Sequence, residues 1–420
     1  MVVVGPNPLR DAPMSMASAQ GDSLRQVCYT ALFLLAVVGS QPHRRPGRLL
    51  PLPFSVTLML LWSLASLHWA LDPAIGARRL LLTTMLLWTA FRLVNELGHR
   101  NTLEILRVFL AVAVVCNFAA IAFSPMAIHR FAEVGDPNLA GSWRGFTGQK
   151  NWAGALCAVT ILLFVFGADR WRPVVRLLVV VAAAYFLYRT MSKTSIGMLM
   201  VAIAAGSAFR VYNPAYRALL VPAAMISGSA LVYYGSTYGD SWVEVFSDPK
   251  AFTGRTQIWP ALLAFSDDHP MGAGFGSFWN IGPSGPIFSY ASGWVTELGN
   301  GHNGYLDLLA TIGVPGLVLT LVALIVVPLV RLLASRRVSR GDGALLVSLL
   351  VFCAAHNLTE SSIMDRDMIM QMVLVLTVAM IAKATFRRSW SGIARMRRHG
   401  GRLAVQTSLP IAHGQGRVGA

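Results

Sequence analysis

Apolar runs of roughly 17 to 25 residues, bounded by charge, Gly or Pro, recur along nearly the whole chain. That is the length a helix needs to cross ~30 Å of hydrocarbon. A backbone in lipid must satisfy its own polar groups, so repeated runs of this length specify a helical bundle rather than open sheets or loops. Composition closes the other routes. Of 420 residues, 55% are hydrophobic and 13% charged, where a soluble domain carries about 25% charged residues. The expected fold class is all-α, a polytopic transmembrane bundle.

Eleven spans are expected, near residues 24–40, 49–71, 79–97, 102–123, 152–168, 174–188, 195–209, 217–234, 303–330, 343–358 and 369–384, with a twelfth allowed for near the N-terminus. The first resembles the apolar part of a signal peptide. Its polar leader of more than twenty residues and the Arg44, Arg45 and Arg48 that follow favour an uncleaved helix. The organisation follows: a polar tail (1–23), an N-terminal bundle (24–234), a long connection (235–302), C-terminal helices (303–386) and a basic tail (387–420).

The net charge of +16 comes mostly from Arg. An Arg-rich balance in a soluble chain suggests nucleic acid. Here the positives sit in short turns and in the tail, where they orient the chain in a bilayer, so no nucleic acid is expected. The tail after Phe386 has seven Arg and no acid, which sets it in the cytoplasm. Alternation then puts the connection 235–302 outside. That connection carries six acids against Lys250 and Arg255, in agreement. Arg78 and Arg79 fall outside and violate the pattern mildly. Cys28, Cys116, Cys157 and Cys353 lie within apolar runs and read as small hydrophobes, since neither metal spacing nor loop pairs occur.

Loops beyond about 12 to 15 residues are usually functional or disordered. This one carries Trp242, Trp259, Trp279 and Trp294, so it is expected to fold and to hold the chemistry. Residues 254–265 read as a short amphipathic helix with Arg255 in its first turn, where it suits a phosphate or carboxylate; pairing with Asp267 or Asp268 is the structural alternative. The glycine-dense 272–279 (GAGFGSFW) lacks a dinucleotide fingerprint and fits a tight turn or close approach to a ligand. His302 opens the ninth span. A helix N-terminus disfavours imidazolium, leaving the neutral ring that a general base requires, although a cap or loop contact would also place a His there. Polar groups beside spans are functional candidates because lipid penalises them: Lys150, Asn151, Ser192 to Ser195 with Lys193, Asp307, His356, Asn357 and Glu360. Lys150, Lys193, Arg255, His302 and Glu360 all fall on the outer face, which favours one anion-handling pocket. Asp365-Arg366-Asp367 has the shape of a metal-nucleotide motif, but so short a turn favours a structural role.

Taken in order, Gly145-Phe146-Thr147-Gly148-Gln149-Lys150-Asn151, Met191-Ser192-Lys193-Thr194-Ser195, Gly254-Arg255 with Trp259 and 270–275, His302-Asn303-Gly304-Tyr305 with Gly313 and Gly316, and Asn357-Leu358-Thr359-Glu360-Ser361 resemble the O-antigen ligase and polysaccharide polymerase family, nearest its exopolysaccharide polymerases. The likeness covers roughly residues 140–385. It implies a metal-independent, inverting glycosyltransferase of the bacterial inner membrane with its site facing the periplasm. The donor would be a glycan on undecaprenyl pyrophosphate, with no nucleotide sugar and no cofactor. By position, Arg255 and His302 match the catalytic pair, the first on the pyrophosphate and the second as base or acceptor-orienting group. Lys193, Lys150, Asn151, Asn303 and Glu360 would bind substrate. Lys193 stands where relatives more often show Arg, which weakens bidentate phosphate contact there.

The expected partners are the lipid-linked oligosaccharide, the membrane and exopolysaccharide assembly or export proteins. Polymerisation of lipid-linked repeat units is the first reading. The alternatives are ligation of finished glycan to a lipid A core or protein, transport of the lipid-linked sugar, for which no internal repeat is visible, and a membrane scaffold.

Overall fold

The computed structural model describes residues 23–130, 139–219 and 251–386, with part of 222–238. The polar leader, part of the expected eighth span, the acidic stretch through Asp240, Glu244 and Asp248 with Trp242 and Lys250, and the basic tail lie outside the described residues.

The fold is all-α, and the described residues contain no β-strand. Twelve helices position the site: α1 (Ser23–Gly39), α2 (Phe54–Ala65), α3 (Pro73–Leu97), α4 (His99–Phe123), α5 (Lys150–Val165), α6 (Pro173–Thr190), α7 (Lys193–Val211), α8 (Trp259–Asp268), α9 (Gly304–Leu321), α10 (Val327–Ala334), α11 (Arg340–His356) and α12 (Ile369–Thr385). A π-helical segment, Val322–Val326, joins α9 to α10. Among the described residues, α3, α4, α6, α7 and the continuous run Gly304–Ala334 are long and apolar enough to cross a membrane. The apolar helices α1, α2, α5 and α12 are shorter.

Two span starts differ by five residues or more from the sequence expectation, each for a local reason. The second helix begins at Phe54 rather than near residue 49, because Pro51 and Pro53 cannot donate to a helix continuing through them. It closes in a 3-10 turn, Ser66–Trp69. The third begins at Pro73, earlier than residue 79, with Asp72 as its N-cap accepting from the Ile75 amide at 2.9 Å. Arg78 and Arg79 therefore lie inside the helix. Arg79 donates to the carbonyls of Gly276, Trp279 and Asn280, so the charge that violated the orientation pattern is a clamp on the long connection.

Helix α5 is buried on nearly every side, from Ala153 to Phe164. A helix apolar all round belongs in a core, not at a lipid boundary. By contrast α6 turns Val174, Leu177, Leu178 and Val181 outward, and α4 does the same with Val108, Phe109, Val112 and Val115, surfaces that hydrocarbon must cover. The approach of α7 to α11 depends on small residues. A Cβ on Gly206 would sit 2.0 Å from Ser348 Oγ, and one on Gly343 would meet the Phe209 ring at 2.2 Å.

Polar clamps hold the bundle at both ends. Arg107 in α4 is 2% exposed and donates to the carbonyls of Leu163 and Phe166 at 2.9 and 3.1 Å, capping the end of α5. Glu104 neutralises it at 2.7 Å and accepts from Trp171. At the same end Arg92 meets Glu96 and Ser40, and Asp342 meets Arg100 and His99. At the other end, Asp365-Arg366-Asp367 joins α1 to the turn between α11 and α12. Arg25 pairs with Asp367 at 2.8 Å, and Tyr29 donates to the Arg366 carbonyl. Both acids are engaged by protein, and no group of metal-ligating side chains occurs among the described residues.

The long connection is woven into the bundle through backbone. Gly313, at φ 68, interrupts α9, and the segment 270–273 lies against the break. Val314 N donates to the Pro270 carbonyl, Ala273 N to Ala310 and Leu71 N to Ala273. Cβ atoms on Gly272 and Gly274 would lie 2.6 and 2.4 Å from backbone. The close approach served by these glycines is thus to α9 and to Ala70, not to a ligand.

Candidate active site

The expected helix at residues 254–265 forms in two pieces. Pro260 cannot donate back to Thr256, so α8 starts at Trp259 and Arg255 belongs to the 3-10 turn Ala251–Gln257 ahead of it. Nor does Arg255 pair with Asp267 or Asp268; the latter accepts from the Tyr290 hydroxyl instead. Its guanidinium reaches across 105 residues and donates to Glu360 Oε1.

Glu360 is the hub of the site. Its side chain is 7% exposed, and three elements converge on it. Asn151, in the first turn of α5, donates to Oε1 at 2.6 Å. Ser192, the N-cap of α7, donates to Asn151 Oδ1 at 2.9 Å and lies 3.0 Å from Ser195 Oγ. The amide of Gly304, first residue of α9, is shared by the carbonyls of Asn357 and Glu360 at 2.9 and 3.0 Å. The first turns of α5, α7 and α9 therefore meet around the Glu360 turn, and helix N-termini carry partial positive charge. Thr359 adds a hydroxyl contact of 3.0 Å to Thr194.

The turn bearing Glu360 is organised by Asn357, which is fully buried. Its Oδ1 accepts from Ser362 N, Ser362 Oγ and Ile363 N, while Nδ2 donates to Cys353. A Cβ on Gly304 would lie 2.4 Å from Asn357 Oδ1, so glycine is what lets α9 begin against this turn.

His302 sits 3.6 Å from Glu360, Nδ1 to Oε2. Its φ of 49 is left-handed, a conformation that costs a side-chain-bearing residue of order 1 kcal/mol or more and persists only where neighbours enforce it. They do so here. The Asn300 side chain accepts from His302 N at 3.1 Å. Gly301 N donates to Asp307, which also accepts from Trp279 Nε1 at 2.8 Å, and Trp259 Nε1 donates to the Gly301 carbonyl. Asn303, expected to bind substrate, caps α9 by accepting from Tyr305 N and Leu306 N. Lys150 is half-buried at the start of α5, and Lys193 is exposed at the start of α7. His356 lies buried one turn before Glu360 with no hydrogen bond to either ring nitrogen.

Burial pushes the Glu360 carboxyl upward, but His302 and Arg255 outweigh it and hold the group at about 2. A carboxyl depressed below its free value stabilises the fold above the unfolded pKa of about 4.5 and loses that contribution as pH falls toward 2. The difference in melting midpoint between wild type and Glu360→Gln should hold steady from pH 7 to 5 and then shrink between about 4.5 and 2, as read by thermal denaturation.

Residues 149–321 match the O-antigen ligase family. Over these residues the chain is similar to that family. The matched O-antigen ligase region takes in Asn151, Ser192, Lys193, Arg255 and His302, and it stops short of Glu360. Activity of the membrane glycosyltransferase kind goes with the family. No curated protein matches the chain.

The sequence grouped Glu360 with Arg255 and His302 on one face as a substrate-binding residue, but nothing local showed Asn151 and Arg255 sharing one of its oxygens. Arg79 had a faint signal, its departure from the expected charge pattern, and the structure places it in contact with the long connection.

Proposed function

We propose that the chain is an inverting, metal-independent glycosyltransferase that joins glycan repeat units carried on polyprenyl pyrophosphate, at the periplasmic face of a bacterial inner membrane. The observation that carries this reading is the seat around Glu360. A buried carboxylate already occupies a place where Arg255, Asn151 and three helix N-termini meet, the surroundings that suit a diphosphate.

The chemistry follows from the residues. An acceptor hydroxyl gives its proton to His302 Nε2 as its oxygen bonds to the anomeric carbon. The bond from that carbon to the diphosphate oxygen breaks with inversion, and its electron pair leaves with the phosphate. Arg255 bears the developing charge. Fixed cations at a developing anion are worth about 10² to 10³ in rate per donor, and base assistance about 10² to 10⁴.

The decisive assay supplies purified protein with lipid-linked repeat units, a chelator and no nucleotide sugar, and resolves the products by length. Long polymers on the carrier are expected. Transfer to an added core acceptor would establish the ligase reading, which the family's own description favours. Lipid movement without new bonds would make the chain a transporter. Loss of activity to the chelator would overturn metal independence.

A further inference from the structure

The two oxygens of Glu360 are unequally engaged. Oε1 receives both Arg255 and Asn151. Oε2 faces His302 Nδ1 at 3.6 Å, beyond hydrogen-bond reach. That nitrogen is buried and has no hydrogen-bond partner. A buried polar atom left unpaired costs about 1–3 kcal/mol, and the group that could satisfy it is less than 1 Å too far away, held off by donors on its other oxygen.

We propose, resting on the function above, that Glu360 is a positioning residue that gates His302. A diphosphate entering the seat takes the Arg255 guanidinium, and the released carboxylate closes on Nδ1. In the closed arrangement Nδ1 carries the hydrogen, Nε2 is the free proton acceptor, and the carboxylate steadies the imidazolium formed when the acceptor loses its proton. Without donor the carboxylate belongs to Arg255 and the ring is neither oriented nor supported. The base is thus assembled by the donor's leaving group, and acceptor activation waits for something to attack. Only a proton moves in the gated step, from the acceptor oxygen to Nε2.

The gate predicts opposite effects from one substitution. Glu360→Gln keeps the side-chain shape and an oxygen for Asn151, and removes the charge competing for Arg255. Titration calorimetry on the full chain in lipid discs should show inorganic pyrophosphate binding about tenfold more tightly than to wild type. Transfer of lipid-linked glycan should fall about 10²-fold, with Glu360→Asp intermediate. A merely structural Glu360 would weaken binding and turnover together.

A second variant serves if Glu360→Gln does not fold. By reciprocity of coupled sites, His302→Ala should weaken pyrophosphate binding several-fold, because the displaced carboxylate has lost its destination. Unchanged or weaker pyrophosphate binding by Glu360→Gln, or unchanged binding by His302→Ala, would overturn the gate while leaving the transferase reading intact. Absence of pyrophosphate binding by wild type would overturn both.

Discussion

His302→Ala should insert and fold, with a melting midpoint lowered only by the loss of the ring beside the Glu360 carboxylate, yet transfer glycan about 10² to 10⁴ times more slowly, the span of general-base assistance. Its fold should survive because the surrounding loop does not depend on the ring. The site's geometry is held through the His302 backbone, by Asn300, and through Gly301, by Asp307 and Trp259. Alanine at 302 keeps the left-handed backbone strain without adding to it. The measurement is single-turnover transfer at saturating lipid-linked donor, beside thermal denaturation of the same preparation. Wild-type rates in a folded His302→Ala protein would remove the imidazole from the chemistry.

Arg255→Ala is expected to fail in two ways that can be separated. Turnover should drop by at least 10² to 10³, the loss typical when one preorganised donor to a developing oxyanion is removed. Stability should fall as well, by about 3 kcal/mol, because the substitution strands a buried carboxylate. Asn151 and His302 remain beside Glu360, so the low end of the usual range applies. Adding Glu360→Gln to Arg255→Ala should restore the melting midpoint and leave activity lost. Recovery of activity with stability would mean that the guanidinium serves only to neutralise its partner. Arrhenius-free comparison at one temperature suffices, since both readouts are differences from wild type.

How much of this was legible in the sequence depends on the range of the interaction. Helices were legible because each depends on a contiguous apolar run, and errors at their ends trace to Pro51, Pro53 and Asp72, which act within a few residues. The partner of Arg255 was not legible. Asp267 and Asp268 were near in sequence, while Glu360 comes near only because Gly304 lets α9 start against the Asn357 turn. The glycine-dense 272–276 shows the same limit. A tight turn and a close approach both fitted it, and the surface approached is a break in a helix some forty residues further on. Asn303 and Asp307, polar residues beside a span, were read as functional candidates. The structure engages the first as a helix cap and the second as the acceptor for Gly301 and Trp279.

The shortness of α5 has a consequence for what can reach the seat. Sixteen residues rise about 24 Å, less than the ~30 Å of a bilayer interior, whereas α4 has 25 residues and rises about 37 Å. Arg107 ties one end of α5 two turns along α4, and Asn117, accepting from Phe146 N just before α5, ties the other end well short of Phe123. Asn151, in the first turn of α5, is therefore set back from the end of α4 at Phe123. On the function proposed above, a diphosphate anchored by a hydrocarbon tail would reach that set-back position from the lipid side, and a freely dissolved sugar phosphate would have to descend past the end of α4.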